Sequence, residues 1–173
     1  MTADEYLALG ETPDRYELIE GVVVMSPSPT PWHQHLIVEL IMQLGLVRAR
    51  LPGLLFFPDT DVRLGVKKVY RPDVSVYRPG RLAEVPARLD TPPDLVIEIL
   101  SPGSKPLDLI TKRDDYDKFG VGEYWVMDPN DGSVRRWVRE GARLQERTTD
   151  GDSVESAGIP GFVLQLGNLR PRP

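Results

Sequence analysis

The most apolar stretch of the chain is Leu95–Leu100, and it carries a glutamate, Glu98, among its branched side chains. Turn-forming residues flank it on both sides, so the pattern predicts a short, buried central strand. Because side chains alternate along a strand, Glu98 shares one face with Asp94 and Val96. A carboxylate in such a strand is costly to bury unless a cation or hydrogen-bond donors compensate it.

Hydrophobic periodicity predicts further elements on both sides of this strand. Helical spacing or helix-end signals predict helices at 2–9, 32–50 and 107–119. Alternation predicts strands at 54–64, 69–77 and 123–127 and hairpins at 16–25 and 134–148. This order predicts one mixed α/β (α+β) domain over 1–173, with a core at about 30–130, an N-terminal hairpin at 14–26 and a C-terminal β extension at 133–169.

Composition narrows the class of protein without naming a function. The 173 residues are 40% hydrophobic and 27% charged, which is enough for one domain with a real core. There is no cysteine, so disulfides and thiolate metal sites are excluded. The first residues lack the basic and apolar regions of a signal peptide, and no apolar run approaches a bilayer span. We therefore expect a cytoplasmic protein that does not enter the membrane.

The charge balance bears on nucleic-acid binding. The formal net charge is −5, which argues against a non-specific nucleic-acid coat. A local basic cluster nevertheless surrounds the turn predicted between the strands at 54–64 and 69–77, and it consists of Arg63, Lys67, Lys68 and Arg71. These side chains either form a solvated hairpin end or contact phosphates.

A second acid and a lysine join Glu98 as candidates for chemistry. Asp73 opens an alternating segment, and two acids on neighbouring strands could converge on one divalent metal. Lys112 falls on one helix face with Tyr116. Its ammonium either reaches the helix edge, pairs with Asp108 one turn earlier, or reaches Asp73 and Glu98. In the last case it would stabilise a developing oxyanion or orient the attacking water.

Taken together, these residues carry a resemblance to a known family. The matching segments are Tyr16–Gly21, Met25–Pro27, His33, Arg71–Asp73, Pro93–Ser104, Asp108, Lys112, Tyr116 and Gly120–Pro129. Over roughly residues 14–169 the chain resembles the Uma-two family, which consists of restriction-endonuclease-like proteins within the PD-(D/E)XK nuclease superfamily. The combination is specific, whereas each piece alone is weak.

The resemblance implies a fold and a set of site residues. The fold is a restriction-endonuclease-like mixed sheet flanked by helices, here with added β-hairpins at both ends. Asp73, Glu98 and the main-chain carbonyl of Ile99 would bind Mg²⁺ or Mn²⁺. The superfamily places a lysine two residues after the glutamate, where this chain has Leu100, so the resemblance implies that Lys112 supplies the amine.

Three further residues are candidates for the same pocket. His33 lies on the apolar side of its predicted helix, which is typical of a core histidine, although the resemblance places it near the site. Glu17 matches a family position and either adds to the acidic pocket or only ends a strand. Ser101 either caps the following turn or faces the site.

The preferred hypothesis is a Mg²⁺-dependent endonuclease that hydrolyses DNA phosphodiester bonds. A homodimer is expected, because the two strands of a duplex need two sites. The displaced lysine and the acidic surface favour a first alternative, a binding module that kept the fold and lost turnover. The lack of an evident basic groove suits a second alternative, a metal-dependent hydrolase of small phosphoesters.

Overall fold

The structure is a computed structural model that describes residues 1–10, 14–26, 28–101, 107–149 and 151–170, without the side chain of Asp108. Parts of the resemblance, at Pro27 and at 102–104, lie outside these residues. The pairing of Lys112 with the Asp108 side chain lies outside them as well.

Short strands dominate the described residues, with few helices between them. In chain order the elements are α1 (Ala3–Leu7), β1 (Tyr16–Ile19), β2 (Val22–Met25), α2 (Pro31–Arg48), β3 (Leu55–Pro58), β4 (Val62–Gly65), β5 (Lys68–Tyr70), β6 (Val74–Tyr77), β7 (Leu95–Ile99), a π-helix (Leu107–Lys112), α3 (Arg113–Lys118), β8 (Glu123–Met127), β9 (Val134–Glu140), β10 (Arg143–Arg147), β11 (Ser153–Glu155), β12 (Val163–Gln165) and a 3₁₀ turn (Gly167–Leu169). This content agrees with the mixed α+β fold that the sequence predicts.

The main sheet has β7 at its centre. Six of the described strands form it in the order β10-β9-β8-β7-β6-β3, with β7 antiparallel to β6 and parallel to β8. Every residue of β7 is buried, because both faces of the sheet are covered. Ile97 and Ile99 pack in the apolar cluster beneath α2, whereas Val96 and Leu100 pack in a second cluster with Tyr116. The predicted buried central strand is therefore confirmed.

The helix α2 begins where its capping signals place it. The Thr30 side chain accepts a hydrogen bond from the His33 N–H, and Pro31 occupies the first turn, where its missing N–H costs nothing. One face of α2 buries His33, Leu36 and Leu40 against the sheet. This burial fixes the rotation of the helix and points the His33 ring inwards.

A second, smaller sheet carries the N-terminal hairpin. Among the described residues its strand order is β2-β1-β5-β4, and all its pairs are antiparallel. The N-terminal hairpin predicted at 16–25 is thus confirmed, and it is attached to the rest of the protein through β5.

Outside the sheets, none of the described helices is long and apolar enough to cross a bilayer.

The single strands predicted at 54–64 and 69–77 are wrong, because each is two strands. Asp59, at φ 47°, interrupts the first, and Pro72 interrupts the second, since proline offers no N–H to a ladder. As a result β4 and β5 pair in the smaller sheet, whereas β3 and β6 pair in the main sheet. The break at Pro72 places Asp73 where the chain passes from one sheet to the other.

The helix predicted at 107–119 is also not uniform. Its first part, Leu107–Lys112, is a π-helix, and α3 follows directly. A π-helix has hydrogen bonds from i to i+5 instead of i to i+4, so it contains more residues per turn than an α-helix. The segment ends at Lys112, which is buried, and Tyr116 is buried one turn later.

The C-terminal residues extend the fold in two ways. The predicted hairpin at 134–148 is present as β9 and β10 and widens the main sheet beyond β8. A further pair, β11 and β12, was not resolved into strands by the sequence pattern. It is attached to α2 through Gln43, whose side chain bonds both the N–H and the carbonyl of Gln165, at 2.8 and 3.1 Å.

Candidate active site

A group of buried charged side chains occupies the junction of the two sheets. Glu17 comes from β1, Asp73 from the turn before β6, Glu98 from β7 and Lys112 from the end of the π-helix. Each is at most 4% exposed. Buried charges are stable only when paired, and the contacts of these four show how each is compensated.

Asp73 is held by three donors. Its Oδ1 accepts a hydrogen bond from the Arg15 guanidinium at 3.0 Å, and its Oδ2 accepts one from the Ile99 N–H at 2.7 Å. The Nε2 atom of His33 lies 3.3 Å from the same Oδ2. Burial alone would raise the pKa of Asp73, but the His33 bond, the Arg15 charge and the Ile99 N–H outweigh it and hold the pKa below its usual range. Asp73 is therefore a carboxylate at neutral pH.

Arg15 is a site residue that the sequence did not reveal. Besides Asp73, its guanidinium donates to the Arg71 carbonyl at 2.6 Å and lies 3.4 Å from Asp59. Burial opposes its charge, but the carboxylates of Asp73, Glu98 and Asp59 raise its pKa above the usual value. No periodic pattern surrounds Arg15, and only the matched family segment starting beside it at Tyr16 gave a signal.

Glu98 and Glu17 share one cation. The Lys112 ammonium lies 3.0 Å from the Oε1 of each carboxylate. The Tyr116 hydroxyl donates to Glu98 Oε1 at 3.1 Å, and the Arg71 N–H donates to Glu17 Oε1 at 2.8 Å. Burial first and the Glu98 charge second raise the pKa of Tyr116 well above its usual value, so its hydroxyl stays protonated.

A second group of residues, which includes Tyr70 and Asp115, supports the Lys112 side chain. The Lys112 ammonium lies 5.6 Å above the Tyr70 ring, a cation–π distance. The Tyr70 hydroxyl and the Lys68 ammonium both bond the carboxylate of Asp115, which is 3% exposed. Burial and the Asp115 bond raise the pKa of Tyr70. Lys112 is thus fixed between two acids and an aromatic ring.

The predicted basic cluster is largely occupied by the protein's own acids. Arg63 makes two hydrogen bonds to Asp4, at 2.7 and 3.1 Å. Lys68 is buried and pairs with Asp115, so a phosphate would have to displace that acid to reach it. Arg71 lies 3.4 Å from Asp61, whereas Lys67 is exposed at the turn.

Ser101 and His33 are the remaining sequence candidates. Ser101 directly follows Leu100 at the end of the central strand and is partly buried. His33 and His35 point to different sides of α2, as their spacing requires: His33 faces Asp73, and His35 stacks on Trp32 on the outer side.

The donor set suits a hard divalent cation. Asp73 and Glu98 offer carboxylate oxygens, and the Ile99 peptide lies directly at Asp73. Within the described residues no three His, Cys, Asp or Glu side chains are grouped to hold a metal. Mg²⁺ needs no such group, because it keeps several waters and binds through one or two carboxylates. The residues therefore fit Mg²⁺ or Mn²⁺ in donor type and charge. A metal ion at Asp73 would take the place of the Arg15 or His33 side chain there.

The contact between His33 and Asp73 predicts a pH-dependent stability in metal-free buffer. Burial lowers the pKa of His33, but its bonds to Asp73 and to the Ile99 backbone raise it above 6.5 overall. The contribution of His33 to the free energy of unfolding is present below pH 6.5, and it is lost as the pH rises through the folded-state pKa of His33. The Asp73 contribution is present above pH 3.8 and is lost as the pH falls below it.

Denaturant unfolding should therefore show that the free energy of unfolding of wild type exceeds that of His33→Asn most between pH 3.8 and pH 6.5. The advantage should shrink as the pH rises above 6.5 and through the folded-state pKa of His33. His35→Asn removes an imidazole from the outer side of the same helix and serves as the control. An advantage of wild type that grows with pH would contradict the ion pair.

Comparison with known proteins adds two findings. The sequence model of a family named Uma2, described as "Putative restriction endonuclease", matches residues 3–167. A crystal structure from Anabaena variabilis ATCC 29413, described as a "putative nuclease belonging to DUF820", superimposes with a TM-score of 0.81. It shares 24% sequence identity, covering 98% of this chain and 97% of that one, and therefore shows a shared fold. No curated protein matches the sequence.

Proposed function

Because the chain belongs to the Uma2 family of restriction-endonuclease-like proteins, we propose that it is a Mg²⁺- or Mn²⁺-dependent endonuclease that hydrolyses DNA phosphodiester bonds. One observation carries the proposal. Two buried carboxylates, Asp73 and Glu98, both act on the charge of Arg15, and the buried Lys112 ammonium lies 3.0 Å from Glu98. Acids and an amine are the groups that metal-assisted phosphodiester hydrolysis requires.

The residues divide into a metal-holding set and a charge-stabilising set. Asp73, Glu98 and the Ile99 carbonyl would hold the metal. When bound, the metal would polarise a phosphate oxygen and make hydroxide available near neutral pH. The Lys112 ammonium lies 3.0 Å from both Glu17 and Glu98, and it would act as a donor to a developing oxyanion or to the attacking water.

Burial strengthens this arrangement. Lys112 and Glu98 are 4% and 3% exposed, so their charges act in a medium of lower dielectric constant than water. Tyr116 and Tyr70 fix the two groups from either side, through a hydrogen bond and a cation–π contact. Lys112 therefore needs little reorganisation when charge develops on the substrate.

The basic cluster would contact the substrate as it approaches the site. Lys67 and Arg71 are the members of that cluster that remain assigned to phosphate contacts. Asp59 and Asp61 lie within 4 Å of Arg71, so the approach carries both signs of charge. A mixed approach also suits a small phosphoester, which we keep as the second candidate substrate.

The test is the binding of Mn²⁺ by calorimetry, followed by cleavage of plasmid DNA with Mg²⁺ or Mn²⁺ and with EDTA as the metal-free control. We expect about one metal per chain and cleavage only when metal is present. A folded protein that binds no Mn²⁺ at millimolar concentration would contradict the proposal. DNA binding that persists in Glu98→Gln without any cleavage by wild type would identify a binding module instead.

A homodimer forms the last part of the proposal, and the outer face of α2 supports it. His35, Val38, Met42, Gly45 and Ala49 recur there at alternating spacings of three and four, which is the pattern of paired helices. Val38 and Met42 are 54% and 60% exposed. Since α2 is apolar on its buried side as well, a second copy of the same helix is the occupant that this seam fits.

Met42→Glu, at the centre of the seam, should therefore give monomers where wild type gives dimers. Light scattering coupled to size-exclusion chromatography measures this directly, and circular dichroism checks that the fold is retained. Val66→Glu changes a similarly exposed apolar side chain in the β4–β5 turn and should leave the dimer intact. Dimers of Met42→Glu, or monomers of wild type, would contradict the interface.

A further inference from the structure

A large cavity opens beside the candidate active site. Its volume is about 770 Å³, which is within the range of pockets that hold a nucleotide-sized ligand. The turn between β3 and β4 forms one wall, and α1, β2 and residues 85–90 form the others. The metal-holding residues do not line it, so it is a separate space adjacent to them.

Two polar groups in the cavity wall lack hydrogen bonds. Asp61 Oδ1 and Arg71 Nε form an ion pair at 3.4 Å, but among the described residues neither atom makes a hydrogen bond. Buried polar groups in folded proteins are nearly always bonded. Burial also raises the pKa of Asp61 above its usual range. An acceptor and a donor side by side match a ligand edge that carries both kinds of group, as nucleobases do.

Part of the wall is aromatic and apolar, although Asp59, Arg63 and Arg88 also line it. Tyr6, Tyr16 and Phe57 line the cavity, together with Leu9 and Val23, which are 59% and 38% exposed. Base stacking on aromatic side chains tolerates any sequence, because every base has a π face. The lining thus offers flat apolar contacts beside the polar pair.

Short chains of contacts join the cavity to the acids of the active site. Asp59 lines the cavity and lies 3.4 Å from Arg15, which in turn bonds Asp73 at 3.0 Å. Arg71 lines it too, and its N–H bonds Glu17 at 2.8 Å. A nucleotide in the cavity would therefore have its neighbouring phosphate close to the residues that hold the metal.

We propose that this cavity receives one unpaired nucleotide of the substrate strand, next to the phosphodiester bond to be cut. The proposal rests on the proposed function and names its substrate class as nucleic acid with a locally unpaired strand. A fully paired duplex must first extrude a base before the cavity is filled. The base would stack against the aromatic wall and bond Asp61 and Arg71.

Binding without catalysis tests this directly. Fluorescence anisotropy in EDTA compares three labelled probes of one sequence: a paired duplex, the same duplex with one unpaired nucleotide, and the single strand. We expect wild type to bind the two probes with unpaired nucleotides at least about tenfold more tightly than the paired duplex, as expected for one stacked base.

The preference should depend on the cavity wall. Asp61→Asn and Tyr16→Leu should each bring the three affinities to within about threefold of one another. Asp114→Asn, an exposed aspartate on α3, makes the same chemical change away from the cavity and should keep the wild-type preference.

The outcomes separate this inference from the proposed function. Equal affinity for paired and unpaired probes, or no measurable binding of any probe, would overturn it even if wild type binds Mn²⁺ and cleaves DNA. A preference that survives Asp61→Asn and Tyr16→Leu would overturn it as well. A preference that both variants abolish would support it, and a chain that then fails to bind Mn²⁺ would lose only the catalytic proposal.

Discussion

Lys112→Met is expected to lower the free energy of unfolding by about 3–5 kcal/mol, because it leaves two buried carboxylates without their cation. Glu17 and Glu98 both lie 3.0 Å from the Lys112 ammonium, and all three side chains are at most 5% exposed. Methionine fills a similar volume, so packing contributes little to the loss. Urea unfolding at neutral pH measures the change.

Two comparisons isolate the charge as the cause. Lys118→Met removes a lysine that is 72% exposed at the end of α3, and it should cost less than about 0.5 kcal/mol. Adding Glu17→Gln to Lys112→Met should restore part of the stability, since one uncompensated charge disappears. Lys112→Met that unfolds like wild type, or a double variant no better than the single one, would contradict the shared ion pair.

Asp73→Asn and Glu98→Gln are each expected to lower metal-dependent cleavage by at least about 10³-fold, or about 4 kcal/mol in transition-state stabilisation. Each change keeps the shape of the side chain but removes the negative charge that would attract the metal. Mn²⁺ binding by calorimetry should weaken in parallel, and it reports on the site without any choice of substrate. Loss of cleavage with unchanged Mn²⁺ affinity would assign the carboxylate another role.

Glu123→Gln is the matched control for these variants. Glu123 is fully buried in β8, the strand next to Glu98, but its carboxylate bonds the Trp125 ring N–H and the Ser156 hydroxyl, at 2.8 and 2.7 Å. Its function is to hold the segment around Ser156 against the main sheet. The variant should therefore lose stability while keeping Mn²⁺ affinity and cleavage. If it lost metal binding as well, the effects at Asp73 and Glu98 would be attributable to folding.

The sequence predicted those parts of the site that local patterns encode. Glu98 stands out because a charge interrupts an apolar strand, and Lys112 stands out because it shares a helix face with Tyr116. Both predictions concern one element at a time, and the structure shows both side chains buried and in contact. The mixed α+β fold followed from the order of strands and helices and from the resemblance.

Contacts between distant segments leave no local pattern in the sequence. Arg15 and Asp73 are 58 residues apart, and nothing near Arg15 indicates which acid it meets. The basic cluster likewise looked unpaired, because its partners, such as Asp4 for Arg63, lie elsewhere in the chain. Periodicity also did not show that residues 55–77 contribute strands to both sheets, because the alternation of side chains continues through the break at Pro72. All three features depend on contacts between segments that are distant in the chain.

The π-helix before α3 has a consequence for how relatives are recognised. Over the same number of turns it uses more residues than an α-helix, so the winding of Leu107–Lys112 contributes to the interval between Glu98 and Lys112. A relative with an ordinary helix here would present its amine at the same place in space after a shorter interval. A search pattern with a fixed glutamate-to-lysine gap would then reject a true homologue, whereas one with a variable gap would retain it.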